Sequence, residues 1–115
     1  MFKSKKITKF IKMENKYITP MFPYPSGSGL HIGHFYNYAI IDSYCNYWRY
    51  KGNEVFQPFG YDSFGLPAEN YAKQVGRDPK DVTYENIDRF REQMSKMNTQ
   101  YKEELITSDE SYQKW

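Results

Sequence analysis

A chain of 115 residues can hold one domain with a modest core, and its net charge of +2 is too small to mark a nucleic-acid binder by itself. No apolar run is long enough to cross a bilayer, so no membrane partner is expected. A single cysteine, Cys45, excludes an internal disulfide and fits a reducing compartment; it is expected to pack within a helix, in a cytoplasmic protein.

The chain opens on a basic segment, with Lys3, Lys5, Lys6, Lys9 and Lys12 and no acidic residue before Glu14. Residues 1–16 are therefore expected to be a solvated, disordered lead. An organellar presequence is the alternative, which a lysine-rich segment without arginine fits poorly. Residues 17–22 are expected to form a first strand. Pro20 conflicts with that assignment, because proline removes a ladder donor and is disfavoured in a central strand.

The most informative stretch follows: Pro23-Tyr-Pro-Ser-Gly-Ser-Gly-Leu-His-Ile-Gly-His34. Gly27 and Gly29 let a backbone turn approach a ligand without a Cβ in the way, and a helix starting near Leu30 aims unpaired N–H groups and its positive dipole end at that turn. His31 and His34 then share the surface of the first helical turn, where imidazoles can donate to phosphate oxygens. Such a constellation suits a nucleotide triphosphate. Two histidines satisfied by the helix start itself are the bland alternative.

Helix one is expected over about 31–51. It carries Ile32, Phe35, Tyr36, Ala39, Ile40, Ile41, Tyr44 and Tyr47 over most of its circumference, as suits an element covered by a sheet and neighbours, and Gly52 stops it. Val55-Phe-Gln-Pro-Phe reads as strand two, with Pro58 ending it. Asp62 comes just beyond that strand, where ligands of open α/β sheets bind, and is placed to pair with the α-ammonium of an amino acid; an exposed aspartate in a turn is the alternative. Pro67 and Gly76 bracket a short helix, so Gly65-Leu-Pro is read as structural. Ile87, Phe90, Met94, Met97, Tyr101 and Leu105 follow one another at intervals of three and four, as one face of an amphipathic helix with Thr83 as its N-cap. Met94 and Met97 then pack, while Ser95 and Lys96 face solvent.

Met21-Phe-Pro-Tyr-Pro-Ser-Gly, Leu30-His-Ile-Gly-His, Tyr50-Lys-Gly-Asn-Glu-Val, Pro58-Phe-Gly-Tyr-Asp and Phe64-Gly-Leu-Pro-Ala-Glu-Asn resemble, in order and spacing, the amino-terminal part of the catalytic domain of leucyl-tRNA synthetases, which are class I aminoacyl-tRNA synthetases. The similarity is strong from about Tyr17 to Gln93 and weaker through Thr107-Ser-Asp to Lys114-Trp115. It implies the first half of a Rossmann-like α/β fold, an incomplete parallel sheet with flanking helices over residues 17–115. By the same resemblance, Pro23, Ser26, Gly27, Gly29, His31, Gly33 and His34 would meet ATP. His31 and His34 would be catalytic through the phosphates, Gly33 would leave room for the adenine, and Met21, Phe22, Tyr24 and Asp62 would hold leucine. Mg2+ would arrive with ATP, and no metal held by the protein itself is expected. Two departures stand out. Tyr61 replaces a frequent tryptophan, and Thr99-Gln-Tyr101 replaces an aromatic-Asp-Trp run, which weakens the usual docking surface. Gln93-Met-Ser-Lys-Met-Asn98 looks like the second class I signature but lies in the wrong part of the chain, so Lys96 is not assigned to phosphate.

A complete enzyme of this kind is several times longer, so the sequence reads as a fragment, a truncated gene or one piece of a split protein. In the whole enzyme the resemblance implies activation of leucine with ATP and transfer to tRNA(Leu), with the remaining part of a split synthetase as a further partner. Alone, the chain is expected to fold marginally and do little more than bind ATP and leucine. A non-catalytic paralogue acting as a nucleotide-binding or interaction module is the second reading. A small nucleotidylyl transferase is third, and the P-Y-P-S-G and G-L-P-A-E segments count against it.

Overall fold

A computed structural model describes residues 14–25 and 29–115. Its elements are β1 (Asn15–Tyr17), α1 (Ile32–Tyr50), β2 (Glu54–Phe56), β3 (Pro58–Tyr61), α2 (Leu66–Val75), α3 (Pro79–Lys96), β4 (Glu103–Ile106) and α4 (Glu110–Gln113). Every strand pairing is parallel: β1 with β2, Asn15 facing Glu54, and β3 with β4, Pro58 facing Glu103. Parallel neighbours require crossovers, which α1 supplies for the first pair and the α2–α3 hairpin for the second. The α/β, parallel-sheet class expected from the sequence is the observed one.

Strand boundaries differ from expectation, and proline explains both differences. Ladder pairing in the first strand stops at Tyr17 instead of running over 17–22. The following segment stays beside the 54–62 stretch, yet Pro20 and Pro23 have no N–H to donate, and its backbone ties there are Ile18 N–H to the Phe56 carbonyl, at 3.0 Å, and Asp62 N–H to the Pro23 carbonyl, at 2.9 Å. Asn15 and Lys16, assigned above to the disordered lead, belong to β1; residues 1–13 lie outside the described residues. Pro58 does not end strand two. It opens β3, at the first strand residue, where a missing donor is tolerated, and the break falls at Gln57. The carbonyls of Phe56 and Gln57 accept from Ile18 and Lys102, each at 3.0 Å. Consecutive carbonyls of an extended chain point to opposite edges, so β1 and β4 flank the 54–62 stretch on its two sides.

Gln57 is buried, and its amide is held by α1: Arg49 donates to Oε1 at 2.8 Å. Arg49 also bonds Asn46, which bonds Asp42, and Asp42 accepts the Gln100 N–H at 2.9 Å. This chain of polar groups fastens α1 to the sheet and to the loop behind α3, with Cys45 fully buried beside it. The end of α1 is closed by Gly52 at φ 85°, whose N–H donates to Arg49 while that of Asn53 donates to Trp48, the Schellman pattern. Burial along α1 is narrower than its apolar circumference predicts. Tyr38 and Cys45 are buried, whereas Ile32, Phe35, Tyr36, Ile40, Tyr44 and Tyr47 are half-exposed or more, because two short ladders cover one side of the helix and nothing described covers the other.

The second half is organised by α3. Asp78 caps it, accepting from Lys80 N–H at 2.8 Å, with Pro79 in the first turn; Thr83, expected as the cap, is buried one turn further in. The helix ends at Lys96, and Asn98 at φ 53° turns the chain, so Tyr101 and Leu105 continue the three-four spacing on a loop and on β4. Tyr101 still packs against the core, but on β4 the core position is Ile106, and strand alternation turns Leu105 to the other face. Ser95 and Lys96 are exposed, and Lys96 pairs with Glu92. On α2, Gly65 occupies the cap at φ 115° and Gly76 the end at φ 67°, with Pro67 in the first turn, so Gly65-Leu-Pro is structural as anticipated.

Tyr38, Phe59, Tyr61, Ile87, Phe90, Met94 and Ile106 form the core. Phe59 meets the rings of Tyr38 and Tyr61 edge-on at 5.1 and 5.5 Å, and Tyr101 lies 5.3 Å from it, so the tyrosine that departs from the family pattern fills core volume. The Tyr61 hydroxyl donates to Glu104, which also takes the guanidinium fork of Arg91. Burial and the Glu104 carboxylate push the Tyr61 hydroxyl far above the ordinary tyrosine range.

Backbones approach most closely at Gly60. A Cβ there would stand 2.4 Å from the Leu105 carbonyl oxygen and 2.6 Å from the Phe22 ring. Gly60→Ala is therefore expected to separate β3 from β4 and lower the unfolding free energy by at least about 1–3 kcal/mol, the usual scale of overpacking, as a drop in the urea midpoint. An unchanged midpoint would mean that the two strands have room to spread.

Candidate active site

The first turn of α1 is built from its two histidines. His31 is the N-cap, its Nδ1 accepting the Gly33 N–H at 3.1 Å, and His34 at the third helical position returns the bond, its Nδ1 accepting the His31 N–H at 3.2 Å. This is a capping box made with imidazoles where Ser and Glu are usual. The rings stack 3.8 Å apart. Gly33 has a local reason to be glycine, because a Cβ would lie 3.0 Å from the His31 ring. The bland reading, histidines satisfied by the helix start, is thus correct for one nitrogen of each ring and silent on the other. A neutral imidazole whose Nδ1 accepts must carry its proton on Nε2, so capping fixes both rings as Nε2–H donors.

His34 also stacks on Tyr38 at 5.9 Å and tilts against Phe90 at 6.3 Å. Burial, with His31 nearby, pushes its pKa below the ordinary histidine range and favours the neutral donor form.

The approach to this turn is held from α3. Asn86, buried, donates to the Pro25 carbonyl at 3.1 Å, and Gln93 accepts the Leu30 N–H at 2.8 Å. Gly29 lies between at φ 106°, a backbone conformation that favours glycine and that the sequence reading, which asked only for close approach, did not anticipate. Ser26 and Gly27, assigned to ATP, lie outside the described residues. Asn86 and Gln93 were missed by the sequence reading. Their signal was two amides seven residues apart on a helix face otherwise filled by Ile87, Phe90 and Met94.

Asp62 follows the last residue of β3, half-buried, at the carboxyl end of a parallel strand. Its N–H bond to Pro23 places it beside the segment carrying Met21, Phe22 and Tyr24. Phe22 packs 6.4 Å from Phe59 and is partly core; Met21 is 83% exposed and Tyr24 50%, so neither is a strand-core residue. A cleft of about 260 Å³ opens at His31, lined also by Leu30, Ile32, Phe35, Gln93 and Met97. A larger cavity, about 670 Å³, lies elsewhere, between α2, the start of α3 and α4; it borders Ser63 but neither histidine nor Asp62. The smaller cleft adjoins His31 at the start of α1 but neither His34 nor Asp62. Among the described residues no three His, Cys, Asp or Glu side chains cluster as a metal site.

A parallel β-α-β unit with a glycine-bearing turn, two imidazole donors at the helix start and a carboxylate at the next strand end fits a nucleotide-binding segment, and residues 16–115 match the family described as tRNA synthetases class I (M). The chain belongs to the class I tRNA synthetases. Within them it is similar to the leucine--tRNA ligases of Chlamydia felis (strain Fe/C-56) and Clostridium tetani (strain Massachusetts / E88), each 50% identical over 101 residues, which are 86% of this chain and 12% of the relative. Among solved structures, the Agrobacterium radiobacter K84 agnB2 LeuRS, in a ternary complex with tRNA and LeuAMS, superposes with a TM-score of 0.83 at 38% identity, covering 90% of this chain and 14% of that one. Mycobacterium tuberculosis methionyl-tRNA synthetase in complex with methionyl-adenylate gives 0.82 at 25% identity, covering 86% and 19%. The chain thus spans about an eighth of the curated relatives it matches.

The histidine cap has a pH signature. Folded His34 favours the neutral form, while in the unfolded chain it takes up a proton near about pH 6.5. The stability linked to it is fully present above that value and is lost as pH falls through the unfolded and then the lower folded pKa. Urea midpoints measured from pH 8 to 5 should fall across this window. In His34→Gln, which keeps an acceptor at the third helical position but does not titrate, the profile should be flatter. The same slope in the variant would assign the titration to another group.

Proposed function

We propose that this chain supplies the ATP- and leucine-contacting part of a leucyl-tRNA synthetase. In the reaction, a leucine carboxylate oxygen attacks the α-phosphorus of Mg-ATP, the bond from that phosphorus to the bridging oxygen breaks, and pyrophosphate leaves with the electron pair. The leucyl group of the adenylate then passes to the terminal ribose of tRNA(Leu). No side-chain nucleophile is needed, so positioning and charge stabilisation carry the chemistry.

The observation that carries this reading is the stacked imidazole pair, whose capping bonds consume Nδ1 and reserve Nε2–H as a donor on each ring. Fixed donors of this kind stabilise charge that grows on phosphate oxygens during displacement. Pro23, Ser26, Gly27 and Gly29 would shape the turn toward the phosphates, and Gly33 would admit the adenine. Asp62 would pair with the leucine ammonium, with Met21, Phe22 and Tyr24 beside the aliphatic side chain. The high exposure of Met21 and Tyr24 supports a pocket completed by other parts of the enzyme. A buried cysteine and no disulfide support a cytoplasmic setting.

A second reading, a non-catalytic module, is favoured by the uncovered apolar side of α1, which suits a partner surface. Pyrophosphate exchange after mixing with the remaining synthetase separates the two. A module would bind without exchange.

In a complete enzyme carrying this segment, His31→Ala or His34→Ala should reduce leucine-dependent pyrophosphate exchange by about 10²–10³ while changing ground-state ATP affinity far less. Equal small effects on both would make the histidines purely structural. Asp62→Asn should raise the leucine requirement by the equivalent of about 2–5 kcal/mol and leave ATP affinity nearly unchanged. Separate titrations of leucine and ATP check this, and a defect confined to ATP would overturn the assignment.

A further inference from the structure

We infer that Asn86 and Gln93 are positioning residues, and that one face of α3 is a two-point template for the flanks of the phosphate-side turn. This rests on the reading that the turn and the histidines meet a nucleotide triphosphate. The two residues are seven apart on α3, about 10.5 Å along the helix axis and on the same face. Asn86 is 3% exposed and donates to the carbonyl of fully buried Pro25, where the turn begins. Gln93 accepts the Leu30 N–H, where it ends. Phe90, between them, packs against the His34 ring. One helix face therefore touches Pro25, the His34 ring and Leu30.

Two amides on a face lined by Ile87, Phe90 and Met94 are costly to bury unless each is satisfied, and the turn is what satisfies them. Leu30 precedes the N-cap, so its N–H has no partner inside α1 and depends on Gln93. Gly29 completes the fit: a Cβ there would stand 2.6 Å from Gln93 Oε1, so the glycine lets the backbone come close enough for that bond. Asn86 is buried away from the cleft at His31, and Gln93, which borders that cleft, spends its Oε1 on the Leu30 N–H. Both act through the backbone that carries His31 and the turn, where a displacement of about 1 Å is enough to impair catalysis.

The test uses the whole chain and centres on Gln93, whose half-buried position makes a folding failure less of a risk than at Asn86. Gln93→Met is similar in size but has no acceptor for the Leu30 N–H, and Gln93→Glu retains one. Hydrogen exchange at the Leu30 amide, the urea midpoint and the dissociation constant for Mg-ATP are measured for each. Gln93→Met should speed Leu30 exchange about tenfold and weaken ATP about three- to tenfold, as loss of one hydrogen bond allows. Gln93→Glu should restore slow exchange. Unchanged exchange in Gln93→Met, or faster exchange with unchanged ATP affinity, overturns the positioning role. If neither the wild-type chain nor a complete enzyme carrying this segment binds ATP, the functional reading falls. The imidazole nitrogen shifts of His31 and His34 then decide the template separately: displaced shifts in Gln93→Met support it, and unchanged shifts overturn it.

Discussion

The first helical turn of α1 depends on two backbone N–H groups finding acceptors, and the acceptors are imidazole nitrogens. Serine or glutamate would satisfy the same bonds. Histidine adds a second nitrogen on a rigid ring, so satisfying the backbone also determines where the proton sits. Tautomer and ring stacking follow from one reciprocal pair of bonds. Helix capping and the orientation of two ring donors are thus carried by the same side chains, and a change that loosens the helix start also changes what those rings can donate.

The sheet is organised around the 54–62 stretch, flanked on one side by β1 and on the other by β4. Proline sets where pairing is replaced by other contacts. Beyond Tyr17 the chain runs beside β3 with few donors, which leaves Met21 and Tyr24 free of a ladder and accessible to a ligand. At Gln57 the ladder changes partner, and the buried amide there is satisfied by the Asp42–Asn46–Arg49 network, not by a neighbouring strand.

Much of this was legible in the sequence where local chemistry decides. The span of α1, its stop at Gly52, the role of Pro67 and the exposure of Lys96 follow from propensity, backbone geometry and periodicity. That the two histidines share the first turn of α1 was legible, but their capping geometry was not, because histidine is an unusual cap and nothing in the spacing says which nitrogen accepts. The failures came where spacing continued after the backbone changed. Tyr101 and Leu105 keep the helical interval although Asn98 has already reversed the chain, and the result is a strand. The Asn86 and Gln93 bonds were invisible because their partners are main-chain atoms about sixty residues away.

Both ladders join strands roughly forty residues apart in sequence, and neither can form by a local hairpin. This has a kinetic consequence. The helices can assemble early, whereas each strand must wait for a crossover to be completed before its edge is covered. During synthesis β1 emerges long before β2, and its exposed N–H and C=O groups are then open to other chains. The absence of donors at Pro20 and Pro23 limits how far a foreign strand can extend along that early edge, so the prolines that shorten the native ladder also shorten the template for aggregation.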